Sequence, residues 1–389
     1  MGACMIGWAH SRFGKSEAAG AEELIAEVVG ECLRHADVGP QEIDAIFLGS
    51  FNNGFSRQDF QASLVALAVP ELRFTPATRV ENACATGSAA IHAGIRQIES
   101  GRARRVLVVG VEKMTATPTP EVGDILLGAS YRKEEAEVEG GFAGVFANIA
   151  QAYFQAYGDR RESLARIAAK NHANGMANPY AHMRKAFDFD FCNEVSEKNP
   201  IVAGPLRRTD CSLISDGAAA MVIADTDTAL TTAPRAVYFR AAEHVNDFLP
   251  LSRRSKTSFE GAARAWNSAY ERAKVGVADL SFVETHDCFT IAELLEYEAM
   301  GLAREGEGHR IIDEGVSAFG GRLPVNPSGG LKSKGHPIGA TGVSQHVMAA
   351  MQLCGDAGDM QLPRAELAGV FNMGGAAVAN YVSILERLK

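Results

Sequence analysis

The sequence has no apolar run approaching the roughly 20 residues that a bilayer-spanning helix needs, so no membrane role is expected. Excess positive charge is lacking too. With 38 Lys and Arg against 47 Asp and Glu, the net charge of −9 argues against bulk attraction to nucleic acid or an anionic membrane. The seven cysteines, at 4, 32, 84, 192, 211, 288 and 354, are odd in number, scattered and without a C-x-x-C pair. That pattern argues against a disulfide framework or a zinc site, and for a reducing, cytoplasmic setting. The first ten residues lack the charged and then apolar stretches of a signal peptide. The glycine-rich stretch at 329–342 lacks the G-x-x-x-x-G-K-S/T spacing of a phosphate loop, which sets nucleotide hydrolysis aside.

What is present is the balance of a soluble globular protein, 47% hydrophobic and 22% charged, in a chain of 389 residues that suits two to three domains. The strongest organisational signal is an internal duplication. In the first half, a strand-like Asp44–Ser50 precedes Ala83-Cys-Ala-Thr-Gly87, which opens a helix towards Ile98. Strand-like Arg105–Val111 and, much later, Ser215–Ala224 follow. The second half repeats the order with Leu280–His286, then Gly339-Ala-Thr-Gly342 opening a helix towards Met351, then Gly369–Leu385. Strands alternating with helices imply an α/β fold of two duplicated halves. The division expected is 1–113 and 211–231 for the N-terminal half, 114–210 for an inserted loop domain, and 232–389 for the C-terminal half. Two helices are expected in the insertion, near Gly144–Tyr157 and Arg161–Asn171, and an insertion this long reads as a lid over a site. Thr232–Lys256 reads as the crossing between halves.

Cys84 falls where a strand meets a helix N-terminus among Ala, Thr, Gly and Ser, so a substrate can approach its sulfur closely. The helix dipole there is expected to pull the thiol below its free pKa of about 8.5. His336, fixed by Pro337 in a glycine-rich turn, is the pseudo-symmetric partner of the Cys84 turn and is placed to take the thiol proton. His286-Asp287-Cys288-Phe289 ends a second-half strand, where α/β sheets place their ligands, and adds a second imidazole and a second thiol. Cys4, Cys32, Cys192 and Cys354 read as structural. Cys211 is a candidate channel lining, and His182 and Met183 are candidates for a substrate pocket. The basic clusters Arg102–Arg105, Arg207–Arg208 and Arg253–Lys256 read as solvated surface or as landing places for phosphates.

The Cys84 segment, Gly335-His336-Pro337 with its Gly-Ala-Thr-Gly continuation, and the Asp216-Gly-Ala-Ala-Ala strand together resemble the thiolase superfamily, over essentially the whole chain. Two departures are informative. The loop that usually reads Asn-Glu-Ala-Phe is His286–Phe289, and the C-terminal Cys-x-Gly is Asn372-Met373-Gly374. Both resemble the sterol-carrier-protein type of thiolase. The resemblance implies a five-layer α-β-α-β-α core and reversible cleavage or condensation of 3-ketoacyl-CoA through an acyl-cysteine. By the same resemblance, Cys84 is the nucleophile, His336 its base, and His286 with His336 the site for the thioester oxygen. The amides of Cys84 and Gly374 would form a second oxyanion hole, Cys288 would be the acid/base thiol, and Ser212 would lie along the pantetheine arm. It further implies coenzyme A as substrate with no tightly bound cofactor, no metal, a homodimer, and the possibility of a small zinc-bearing OB-fold partner. A ketoacyl synthase-like condensing enzyme is the alternative, and Cys288 is the residue that discriminates.

Overall fold

The computed structural model describes residues 2–389. The strands of its main sheet are β1 (Ala3–His10), β2 (Ala45–Gly49), β3 (Ala77–Val80), β4 (Arg105–Glu112), β5 (Gly217–Asp225), β6 (Val237–Asn246), β7 (Phe282–Glu284), β8 (Leu367–Gly374) and β9 (Ala379–Arg387). The helices that matter for the site are α1 (Ala21–Ala36), α2 (Thr86–Glu99), α3 (Gly141–Tyr157), α4 (Arg161–Gly175), α5 (Glu260–Ala273), α6 (Thr290–Ala299) and α7 (Ile338–Cys354).

The duplication is written into the strand order. The sheet runs β3-β2-β4-β5-β1-β6-β9-β8-β7. In the first half β3, β2 and β4 are parallel, and β5 and then β1 join antiparallel. In the second, β7 and β8 are parallel, β9 and then β6 join antiparallel, and Val325 bridges β7 in parallel where the counterpart of β3 would lie. The halves meet through a short antiparallel contact, Cys4 with Tyr238 and Met5 with Val237, so two mixed half-sheets form one sheet of nine strands.

Strand alternation explains the layering. On β4, Leu107, Val109 and Val111 pack with Leu24, Ile25 and Val28 of α1. Val106 and Val108 pack on the opposite side with Ile91 and Ile95 of α2 and Val343 and Val347 of α7. A strand covered on both faces must be apolar at every position, which is why Val-Leu-Val-Val reads as a continuous run. Helix α7 also touches Ala368, Val370 and Leu385 of the second half-sheet, whose far side carries Trp266 of α5 against Phe371 and Val382. The order is therefore α1, half-sheet, α2 with α7, half-sheet, α5. Of the 17 residues of α7 only Met351 and Cys354 escape full burial, as befits a helix enclosed between two sheets.

The two Ala-Thr-Gly signatures mark where α2 and α7 cross. A β-carbon on Gly87 would lie 2.7 Å from the Val343 amide nitrogen, and one on Gly342 would lie 2.3 Å from that of Ser88. Each helix thus offers a glycine to the other's backbone, and this close crossing carries the two helix N-termini, with Cys84 and His336, to one place.

The two helices expected in the insertion are α3 and α4. Helix α3 packs Phe142, Phe146 and Tyr153 among Ile291, Leu294 and Leu295 of α6, and Phe146 stacks on Phe289 with 4.4 Å between ring centroids. The segment expected as a crossing, Thr232–Lys256, contains β6, a core strand whose alternating Val-Tyr-Phe-Arg-Ala pattern buries every second residue. Arg207 is neither solvated nor free for a phosphate. It is 2% exposed and tied to Asp210 at 2.8 Å and to the backbone of Arg161 and Asn193. No helix among the described residues is long and apolar enough to cross a membrane.

Candidate active site

Cys84 sits in the tight turn between β3 and α2. The turn holds Ala83 at φ 49°, and its carbonyl accepts from the Thr86 amide and hydroxyl. A non-glycine residue in the left-handed region costs on the order of 1 kcal/mol or more, which the surrounding hydrogen bonds offset. The sulfur is almost enclosed, with the residue 4% exposed, amid Phe51, Phe55, Met114, Val122 and Ile338. Burial dominates its acidity and pushes the thiol up to about 12, although the backbone N–H of Gly375 draws it back. The expected lowering by the helix dipole is therefore outweighed. Cys84 rests as a thiol rather than a thiolate.

His336 stands beside Cys84, with a ring nitrogen within 4.8 Å of the sulfur. Its turn is pinned from below by Glu112, whose carboxylate accepts from the amides of Gly339 at 3.0 Å and of Phe51 at 2.8 Å, tying the start of α7 to the loop after β2. The ring Nδ1 lies 2.6 Å from Thr341 Oγ1, and that hydroxyl spends its own proton on the Pro337 carbonyl at 2.9 Å. The oxygen is thus an acceptor towards the ring, Nδ1 carries the proton, and Nε2 holds a lone pair. That Nε2 is buried and has no partner among the described residues. Burial, reinforced by nearby Lys334, pushes His336 down to about 3, which keeps it neutral at physiological pH.

His286 enters from the opposite half-sheet at the end of β7. It is fully buried, edge-on to His336 with 5.0 Å between ring centroids, and its Nε2 also lacks a partner. Cys84, His286 and His336 each present a sulfur or ring nitrogen such that all three atoms lie within 4.8 Å of one another. The fold brings Cys84, His286 and His336 together. A sulfur with two imidazole nitrogens is also a donor set for a thiophilic cation, provided both nitrogens are unprotonated.

Cys288 completes the constellation. The His-Asp-Cys-Phe loop is held by Asp287, which accepts from the amides of Leu331 at 2.6 Å and Lys332 at 3.1 Å and from Asn171 of α4 at 2.7 Å. Cys288 is 3% exposed, and burial, with the Cys84 sulfur as the next contributor, pushes its thiol well above the ordinary range. Ser212 donates its amide to the Cys288 carbonyl at 2.9 Å, and Cys211 bridges Phe289, so the 211–214 segment runs alongside the loop.

A cavity of about 310 Å³ opens onto Cys84, Cys288 and His336. Val122, Leu126, Phe142 and Phe289 form an apolar wall, and Cys211 to Ile214 form another side. Ser212 and Cys211 thus line the same cavity as Cys84. Gly374 ends β8, and the amide directed at the sulfur itself belongs to its neighbour, Gly375. His182 and Met183 do not join this lining. His182 bonds Ser215 at 2.9 Å, and Met183 lines a separate groove with Lys185, Lys198 and Arg208.

Sequence reasoning missed Thr341, Glu112 and Asn372 as partners of the site. Thr341 lies only five residues after His336, within the Gly-Ala-Thr-Gly that opens α7.

The thiolase N-terminal domain family matches residues 4–227, and the thiolase C-terminal domain-like family matches residues 243–387. An acetyl-CoA acetyltransferase of Methanothermobacter thermautotrophicus is 36% identical over 387 residues, 98% of this chain and 99% of that one. Rabbit (Oryctolagus cuniculus) sterol carrier protein 2 is 36% identical over 323 residues, which are 78% of this chain and 57% of that protein. Among solved structures, an Ltp2–ChsH2(DUF35) aldolase superposes with a TM-score of 0.84 at 19% identity, covering 99% of this chain and 97% of that one. A monomeric SCP2-thiolase-like protein type 1 from Mycobacterium smegmatis gives 0.76 at 16% identity, covering 99% and 77%. At those identities the structural likenesses speak for the fold alone. The family matches and the archaeal relative span nearly the whole sequence, and the chain belongs to the thiolase family of acyltransferases.

Proposed function

We propose that the chain is an acyl-CoA C-acyltransferase that runs thiolysis of 3-ketoacyl-CoA, or its reverse Claisen condensation, through an acyl group on Cys84. The observation that carries this reading is the convergence of the Cys84 sulfur with the two histidines within 4.8 Å at the head of an apolar cavity. In the thiolytic direction the Cys84 thiol gives its proton to His336 Nε2, and the sulfur attacks the keto carbon. His286 and the newly protonated His336 receive the charge on the thioester oxygen, while the amides of Cys84 and Gly374 serve the tetrahedral intermediate. The carbon–carbon bond breaks, and Cys288 protonates the departing acetyl-CoA enolate. Cys288 then takes the proton from incoming CoA, whose sulfur attacks the acyl-cysteine. Acyl-CoA leaves and Cys84 recovers its proton from His336.

Cys288 is the test of this assignment. A thiol kept protonated by burial is suited to giving a proton to a carbanion, and a condensing synthase has no need of it. Cys288→Ala is expected to lower exchange of the α-protons of acetyl-CoA by about 10²–10⁴-fold. Exchange unchanged within a few-fold would favour the synthase alternative.

Coenzyme A enters as substrate, Ser212 lies along its pantetheine arm, and the chemistry calls for no resident cofactor. The seven free thiols favour a reducing, cytoplasmic setting. The complete set of thiols and histidines favours a chain active by itself over one dependent on an OB-fold partner. We also propose a homodimer, supported by Phe60, Leu67 and Phe74, exposed at 80%, 61% and 87% just before edge strand β3. A solution mass of twice 41.4 kDa is expected; sedimentation at the monomer mass would refute the dimer.

A further inference from the structure

Asn372 occupies the place where most thiolases carry a second cysteine, and none of the proton transfers above uses it. It lies on β8 with its side chain fully buried beneath the site. Its amide nitrogen is 3.1 Å from the Cys84 carbonyl oxygen and 2.8 Å from His286 Nδ1. A carbonyl oxygen only accepts, so the nitrogen end of the amide is the end that faces it; turning the amide over would press oxygen against oxygen. The NH₂ group has two protons for two partners. One goes to the Cys84 carbonyl, and the other requires His286 Nδ1 to be a lone pair. A neutral imidazole with a bare Nδ1 carries its proton on Nε2.

We infer that Asn372 is a positioning residue that locks His286 in the Nε2–H form, making it a hydrogen-bond donor to the reacting oxygen and never a base. The pairing with Thr341 gives the opposite result for His336, whose Nδ1 is protonated and whose Nε2 is bare. Two imidazoles side by side thus enter the reaction with opposite roles, each set by the hydrogen bond at its far nitrogen. The residue type follows from the geometry. A thiol or hydroxyl at position 372 has one proton and could not serve both the Cys84 carbonyl and His286, whereas a primary amide has two on one atom. The lock also denies a thiophilic cation its third ligand, because a protonated Nε2 offers no lone pair.

The functional part of this inference rests on the reading that the site stabilises an oxyanion, but its direct test does not. In full-length protein labelled with ¹⁵N-histidine at pH 7.5, His286 (assigned by its loss in His286→Gln) is expected to show a bare Nδ1 and a protonated Nε2. Protonated Nδ1 in the unsubstituted protein would overturn the inference, whatever the enzyme's activity. Asn372→Asp replaces the donor with an acceptor, so Nδ1 of His286 is expected to gain a proton. Thiolytic kcat should then fall by about 10²-fold or more, with KM changed only a few-fold. The fall is expected whether the ring becomes the other tautomer, losing its donor, or an imidazolium, placing a positive charge beside the base. A merely structural asparagine would leave the ¹⁵N pattern of His286 unmoved in the variant, and that result would also overturn it. If the variant does not fold, the spectrum of the unsubstituted protein decides alone.

Discussion

Cys84→Ala is expected to remove thiolytic turnover of acetoacetyl-CoA, with kcat falling on the order of 10⁵-fold or more while the fold is retained. The size follows from the route. Without the sulfur there is no acyl-enzyme, and the two-step route is closed. Retention of the fold follows from packing. Cys84 contributes a small side chain to the minor cluster with Phe51, Phe55, Met114, Val122 and Ile338, and the α2–α7 crossing depends on Gly87 and Gly342 rather than on the sulfur. Circular dichroism of the variant should match the parent. Substantial residual turnover in a correctly folded Cys84→Ala protein would end the account.

His336→Ala is expected to lower kcat/KM by about 10³–10⁵-fold, because one change removes the base for Cys84 and one donor to the thioester oxygen. The pH profile carries an independent signature. An ordinary histidine base would impose an acid limb near 6.5, since activity is lost as the base takes a proton. Here burial and Lys334 push His336 down to about 3, so its neutral form persists as pH falls, and Cys84 is pushed up to about 12, so its thiol persists as pH rises. The competent pair, thiol with neutral imidazole, is thus the dominant form of the free enzyme across pH 5–9. The kcat/KM of the parent enzyme should be flat over that range. A limb centred near 6.5 would show that His336 titrates as a solvated imidazole.

The two α/β halves were legible because duplication leaves a sequence trace wherever both copies face the same constraint. Ala-Thr-Gly recurs because each helix must let the other's backbone approach, and the apolar runs of β4 and β5 recur in β8 and β9 because both half-sheets are covered on two faces. Strand β6 was not read, since only its first half alternates cleanly and its outer residues Glu243 to Asn246 are partly exposed. Cys84, His286, Cys288 and His336 were legible as reactive residues beside helix starts or strand ends. Their settings were not. The acidity of Cys84 depends on enclosure by Phe51, Phe55 and Met114, each about 30 residues from it in sequence, and this reverses the effect expected from the helix end alone. The opposite tautomers of His286 and His336 depend on Asn372 and Thr341; the first of these lies 86 residues from its histidine, so no local motif announces the pairing.

The central claim is that the acyl group passes through Cys84. Mass spectrometry of the peptide containing Cys84, after incubating the protein with acetyl-CoA and quenching in acid, tests it most directly. The account predicts a mass increase of one acetyl group on that peptide alone, absent in Cys84→Ala and removed by adding free CoA. Acetylation confined to another cysteine, with Cys84 unmodified while turnover proceeds, would contradict it.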